Sequence, residues 1–325
     1  MTSRRTFLAG ALALTAAPLG AQRKPALKRI GMLETVPVAA NTTNLVEFHK
    51  GMEELGHQEG KTYLVVYRSA EGRAERFPAL AADLAKQKVD VFVTRGTPAT
   101  IAARDLKGSI PIVASAVADP IDAKLVESLE KPGGKVTGLS SSVNELGAKR
   151  MELLKAVAPG ITRVGALTNP DNPASLASWK VIEGAAPALN VKAESIHVRK
   201  PEELEEGLEA AVKQGVDALI IGLETLAQSH QNFIIDFAAR TGVPAAYAAR
   251  NFVDAGGLLS YGVLYPNMYY RAASYVDKVL KGAKPADLPV ERASKFELVI
   301  NRKTARALKL TIPPDLFLRS DEVID

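Results

Sequence analysis

The 325-residue chain contains no cysteine. Disulfides, thiol nucleophiles, cysteine metal sites and lipid attachment through an N-terminal cysteine are therefore excluded. Histidine is scarce as well. His49, His57, His197 and His230 are scattered without metal-ligand spacing, and each reads as a surface or boundary residue. No metal and no cofactor is expected. The glycine-rich dinucleotide motif, the P-loop and the G-x-S-x-G nucleophile elbow are all missing, so those three chemistries lack their defining parts. Past the N-terminal segment there is no apolar run of the ~18 residues that would span a membrane. Nor does one charge prevail. The 41 Lys and Arg stand against 36 Asp and Glu, and they are interleaved, as in Arg73, Glu75 and Arg76, which leaves no basic face for nucleic acid.

What is present begins with a segment of a different kind. Ser3-Arg4-Arg5-Thr6-Phe7-Leu8, followed by a mild apolar and small-residue stretch to Ala21, resembles a twin-arginine signal peptide. Residues 1–21 are expected to be removed on export. The mature chain would then be soluble, periplasmic and monomeric.

From Arg29 onward strands alternate with helices, which argues for α/β architecture with parallel sheets covered on both faces. The informative stretch is Val89-Asp90-Val91-Phe92-Val93-Thr94-Arg95-Gly96-Thr97-Pro98-Ala99, a buried strand, a glycine turn and a helix start. Gly96 permits the reversal, Thr97 is expected to cap and Pro98 suits the first helical turn. Such a turn leaves unpaired N–H groups at a strand's carboxyl end, where open α/β sheets bind ligands. Helices are also expected at 45–55, 74–87, 121–129, 145–157, 175–189, 202–214 and 226–240. A second series of βα units starts near Glu145, and a strand and helix left over at the C-terminus suggest a return to the first unit, which would make a hinge of several segments.

Polar residues recur at the ends of the expected strands: Glu34 and Thr35, Gly96 and Thr97, Ser115 and Asp119, Asn169 and Asn172, Glu224 and Thr225, and Tyr247. These types suit a zwitterion. The Gly96, Thr97 and Ser115 donors can take a carboxylate, and Glu224 or Asp119 can balance an ammonium group. Tyr247 and Tyr261 can line an apolar pocket. Asp119-Pro120 and Asn169-Pro170 serve equally as helix-entry signals. Glu224 is the most informative, because an acid directly after a fully apolar strand has no packing reason to be there.

The chain resembles the ABC-transporter substrate-binding proteins of the type that includes tryptophan-binding members. The resemblance is carried by Glu53-Glu54-Leu55-Gly56-His57, Gly96-Thr97-Pro98-Ala99, Asp119-Pro120, Lys131-Pro132-Gly133-Gly134-Lys135-Val136-Thr137-Gly138-Leu139-Ser140, Gly256-Gly257-Leu258-Leu259-Ser260-Tyr261-Gly262 and Lys295-Phe296-Glu297-Leu298-Val299-Ile300-Asn301. It implies a type I periplasmic-binding-protein fold, two doubly wound lobes joined by a three-segment hinge. Lobe 1 would hold 28–140 and 262–288, lobe 2 would hold 141–261 and 289–325, and the crossings would fall near Leu139 to Ser142, Leu259 to Gly262 and Leu288 to Arg292. A small-molecule ligand, an amino acid or related carboxylate, would be captured by hinge closure and passed to an ABC permease in the inner membrane. The segments Glu34 to Val38 and Glu224 to Ala227 depart from the commoner family patterns, which leaves the ligand class open. The rival readings are a periplasmic α/β enzyme using Glu224 or Asp119 as a base, for which no paired nucleophile is present, and a sensory binding protein that docks on a receptor.

Overall fold

The computed structural model describes residues 27–141 and 145–325. The N-terminal signal segment and the first crossing beyond Ser141 lie outside the described residues. The first series runs β1 (Lys28–Glu34), α1 (Thr42–Glu54), β2 (Tyr63–Ser69), α2 (Phe77–Lys86), β3 (Val91–Arg95), α3 (Thr97–Asp105), β4 (Ile112–Val117) and β5 (Val136–Ser140). The second runs α4 (Leu146–Val157), β6 (Arg163–Thr168), α5 (Pro173–Ala185), β7 (Lys192–His197), α6 (Leu204–Lys213), β8 (Ala218–Ile221), α7 (Thr225–Ser229), α8 (Gln231–Thr241), β9 (Ala245–Tyr247), α9 (Arg250–Asp254) and β10 (Leu259–Val263). The chain then returns through α10 (Tyr265–Leu280) and β11 (Glu291–Arg292), and ends with β12 (Phe296–Asn301), α11 (Arg302–Ala307), α12 (Pro314–Arg319) and β13 (Glu322–Ile324).

Two sheets result. The first has the order β11-β5-β4-β3-β1-β2 and the second β13-β12-β10-β9-β8-β6-β7. Among the described residues every strand pairing is parallel except that of β10 with β12. Strands β3, β4 and β5 are buried along their whole length, as a sheet covered on both faces requires. In lobe 1, α1 and α10 close one face over Ile30, Met32, Val91 and Val93. The other face, with Leu33, Phe92 and Ile112, is closed by α2 and α3. Lobe 2 repeats the arrangement around Val164, Ala166 and Ile220 on one side and Leu167, Leu219 and Ile221 on the other. Phe48, fully buried on α1, shows the scale: truncation to alanine there costs about 3–5 kcal/mol.

Several local expectations are corrected. No helix forms over 121–129, because Asp119 Oδ1 accepts from the Ile121 and Asp122 N–H groups and Lys124 at φ 53° ends the turn after one revolution. The helix over 226–240 is two helices broken at His230. Thr97 does not cap α3: Gly96, at φ 87°, is the N-cap, and Thr97 is the first helical residue. The second and third crossings also fall a few residues later than expected. Tyr261, Gly262 and Val263 remain paired to β12 in the second sheet, while Glu291 and Arg292 pair with β5 in the first. Gly262 belongs where it is because a Cβ there would stand 1.9 Å from the Ala248 carbonyl oxygen. Helices α9 and α12 and strand β13 are short elements with no strong sequence period.

Candidate functional site

The order of each sheet decides where a site can form. In lobe 1 the chain winds outward from β1 to β2 on one side and to β3 on the other; in lobe 2 it winds from β6 to β7 and to β8. A crevice opens at the carboxyl ends of strands where the winding reverses. The two crevices face each other and make one cleft, with Thr35, Arg95, Gly96 and Thr97 on one side and Thr168, Asn172, Gly222, Glu224 and Thr225 on the other. The cleft is narrow, with about 60 Å³ of room for the centres of water-sized molecules.

On the lobe 2 side Glu224 is 4% exposed. It is the N-cap of α7: Oε2 accepts from the Leu226 N–H at 2.7 Å, and Oε1 accepts from the amides of Asn169 and Asn172, both at 3.2 Å. Burial raises its pKa, opposed by those three donors. Asn172 in turn caps α5 through Ala174 N–H at 3.1 Å, which fixes the amide that faces Glu224. Asn169 stands behind the cleft wall as a support for Glu224, with its own N–H held by Ser175 Oγ.

Two arginines that the sequence reading passed over complete the cleft. Arg150, on α4, is 1% exposed; its Nε donates to the Tyr261 carbonyl at 2.8 Å, and its Nη2 has no partner. Burial lowers its pKa to about 10, so it stays charged at neutral pH. Arg95, at the end of β3, donates to Asn41 Oδ1 and to Gln228 Oε1 and lies over the Tyr265 ring at 4.6 Å, while its Nε has no partner. Thr35 Oγ1 is a third buried polar atom without a partner. The signal that could have found Arg150 is its place in the stripe Gly147, Arg150, Met151, Leu154, Val157, where a charge interrupts an otherwise core-facing row. Apolar surface is supplied by Trp179, Leu167, Ile182 and Ile220.

Besides Asn169, five candidates do not reach the cleft. Ser115 is fully buried and donates to the Thr94 carbonyl. Asp119 caps its own turn. Tyr247 is core, stacked on Phe252 at 4.8 Å, and Tyr261 stacks on Phe296. Glu34 is fully buried and does not line the cleft; Tyr269 Oη donates to both its oxygens at 2.7 and 2.8 Å. Burial is the main cause that raises its pKa to about 7; the Arg95 charge and Tyr269 act the other way. None of the four histidines lines the cleft; His57 lies against Asp277 and His49 against Tyr63. Among the described residues no group of three or more His, Asp or Glu can hold a metal ion, and no helix is long and apolar enough to cross a membrane.

The lobes touch across the cleft. Ser229 Oγ donates to the Thr35 carbonyl at 3.0 Å, Arg73 pairs with Glu202, and Arg95 reaches Gln228. Two parallel-sheet lobes with three crossings and polar side chains converging from both sides define a solute-binding protein of the type I periplasmic-binding-protein fold. The chain belongs to the ABC transporter substrate binding protein family, whose model matches residues 29–324. It is 26% identical over 298 residues to a tyrosine-binding protein of Clostridioides difficile, covering 91% of this chain and 86% of that one. Among solved structures it is similar to the ABC domain from Streptococcus pneumonia in complex with L-Trp, at 26% identity and TM-score 0.83, covering 92% of this chain and 100% of that one. It also resembles the ligand-free, open structure of a substrate-binding protein with adhesive properties from Clostridium difficile, at the same 26% identity but TM-score 0.63, with 92% and 99% covered. The family is one of solute-binding proteins rather than enzymes. Its members bind small ligands and serve an ABC permease outside the cytoplasm.

Proposed function

We propose that the protein captures an α-amino acid with an aromatic or large apolar side chain, closing its lobes around it for delivery to the permease. The observation that carries this reading is the pairing of buried opposite charges across one cleft. Glu224, fixed by two amides and a helix end, suits an ammonium group, and Arg150 Nη2, Arg95 and the Thr35 hydroxyl suit a carboxylate. Trp179, Leu167 and Ile182 offer the side chain an apolar wall. The tryptophan and tyrosine bound by the two relatives fit the same description. Equal identity with unequal superposition supports a closed lobe arrangement here, since the better match is the complex and the poorer one the open form.

In this reading no bond is made or broken. The ligand favours the closed state because only there do both lobes touch it. The remaining expectations are of a piece with it: an exported, monomeric periplasmic protein from which residues 1–21 have been removed, with no affinity for nucleic acid. The test is a thermal-shift and calorimetric screen of the exported chain against tryptophan, tyrosine, phenylalanine, leucine, dicarboxylates, aromatic acids and nucleosides. A ligand at about 100 times its Kd adds roughly 2.7 kcal/mol of stability. Binding of aromatic amino acids, with the corresponding aromatic acids rejected, supports the zwitterion reading; a hit confined to dicarboxylates or nucleosides overturns it.

A further inference from the structure

Behind the cleft lies a roomier cavity, about 450 Å³ against about 60 Å³ on the same measure. Its walls come from residues 36–44 of lobe 1, from Gln231 and α9 of lobe 2, and from the crossing at Val263 to Pro266. Three residues, Arg95, Gln228 and Tyr265, line both cavities and so form the partition between them. They are 6%, 8% and 8% exposed. The partition is tied together from three places in the fold: Arg95 at the end of β3 lies over Tyr265 at the crossing and donates to Gln228 on α7. A second bond, Arg95 Nη1 to Asn41 Oδ1 at 3.2 Å, anchors the guanidinium on the lobe 1 side.

We infer that Gln228, by pinning Arg95 against Tyr265, sets the length of the solute the cleft admits and makes it select a free α-amino acid over a C-terminally extended peptide. The inference rests on the amino-acid reading above. In that reading the carboxylate is turned toward the guanidinium groups, so a residue added after it requires the space the partition fills. That space exists on the far side, where the Asn41, Asn44, Gln231 and Asn251 amides and Thr43 offer donors and acceptors of the kind a peptide backbone uses. Asn41 Nδ2 is itself buried there without a partner. Gln228 is the member whose loss opens the way. It is neutral, it touches Arg95 across the lobe boundary, and without it Arg95 keeps Asn41 and Tyr265 but is free to turn rearward.

The experiment is calorimetric titration of the exported chain with tryptophan, the dipeptide Trp-Gly and the dipeptide Gly-Trp. The unaltered protein is expected to bind Trp-Gly at least 100-fold more weakly than tryptophan. In Gln228→Ala and Gln228→Ser that ratio is expected to shrink to tenfold or less, while tryptophan itself weakens by up to tenfold. Gly-Trp, extended on the Glu224 side, stays excluded throughout. Gln228→Asn, which keeps the amide one methylene shorter, gives an intermediate ratio and serves where the smaller residues fail to fold. Unchanged ratios in variants that still bind tryptophan overturn the inference, as does an unaltered protein that binds Trp-Gly and tryptophan alike. If the unaltered protein binds no free amino acid, the amino-acid reading falls first and this inference with it.

Discussion

Glu34 and Glu224 present the same sequence signal in two lobes: each is an acid at the carboxyl end of an apolar parallel strand, and each is buried with a raised pKa. Their surroundings separate them. Glu34 lies on the Ile30 and Met32 side of β1, because strand residues alternate between faces, and that side is covered by α10. Its oxygens are met by Tyr269, and the next residue, Thr35, is the one that reaches the cleft. Glu224 instead follows its strand into the turn before α7, where a helix end and two amides hold it in the cleft wall. One acid is therefore a buried element of stability and the other an element of recognition, and identical chemistry was assigned to different work by which helix covers it.

The strongest test of that contrast is Glu224→Gln. It keeps an acceptor for the two amides but removes the charge, and affinity for the bound amino acid is expected to fall about 1,000-fold, ~4 kcal/mol, by calorimetry. A loss under tenfold would place the ammonium partner elsewhere.

Glu34→Gln should leave affinity within about threefold and act on stability instead. The folded pKa of about 7 lies above the ordinary 4.5, so the folded state holds a proton that the unfolded chain releases. The stabilisation is complete below pH 4.5 and is lost as the pH rises through 7. Relative to Glu34→Gln, the unaltered protein is expected to lose on the order of 3 kcal/mol between those limits. Urea midpoints of both proteins from pH 4.5 to 8 measure this; parallel curves would show that Glu34 does not carry the pH response.

Arg150→Lys tests the other end of the ligand. A point charge does not replace the planar fork, and the Tyr261 carbonyl loses its Nε donor, so affinity should fall about 30-fold, ~2 kcal/mol, with little recovery at low salt. Asp119→Ala marks the structural side of the comparison: loss of the turn cap costs about 1 kcal/mol by urea unfolding and leaves affinity unchanged. The smallest effect is expected for Arg73→Ala, which removes an exposed pair with Glu202 at the lip of the cleft; Kd should rise by about twofold, and by less at high salt.

Much of the fold was legible. Buried strands such as Val91–Arg95 announce themselves by β-branched runs, and helices such as Thr42–Glu54 by Phe48 and Met52 at helical spacing. The helix expected over 121–129 was lost to competition from the Asp119 side chain, and β13 was too short to show a period. The site was legible in part. Thr35, Gly96, Thr97, Asn172 and Glu224 line the cleft, while Ser115, Asp119 and Tyr247, polar residues of the same kinds at strand ends, do not.

The sequence by itself determined the alternation of strands and helices, the two lobes, the return of the chain and the glycine turn at Gly96, because those follow from local periodicity and backbone sterics. Which strand ends face one another depends on sheet order, and sheet order depends on pairings between residues far apart in the chain. Only the folded lobes put the reversal of winding between β1 and β3 opposite that between β6 and β8, and so drew Arg95, Arg150 and Glu224 into one cleft while leaving Ser115 of β4 and Tyr247 of β9 in the core.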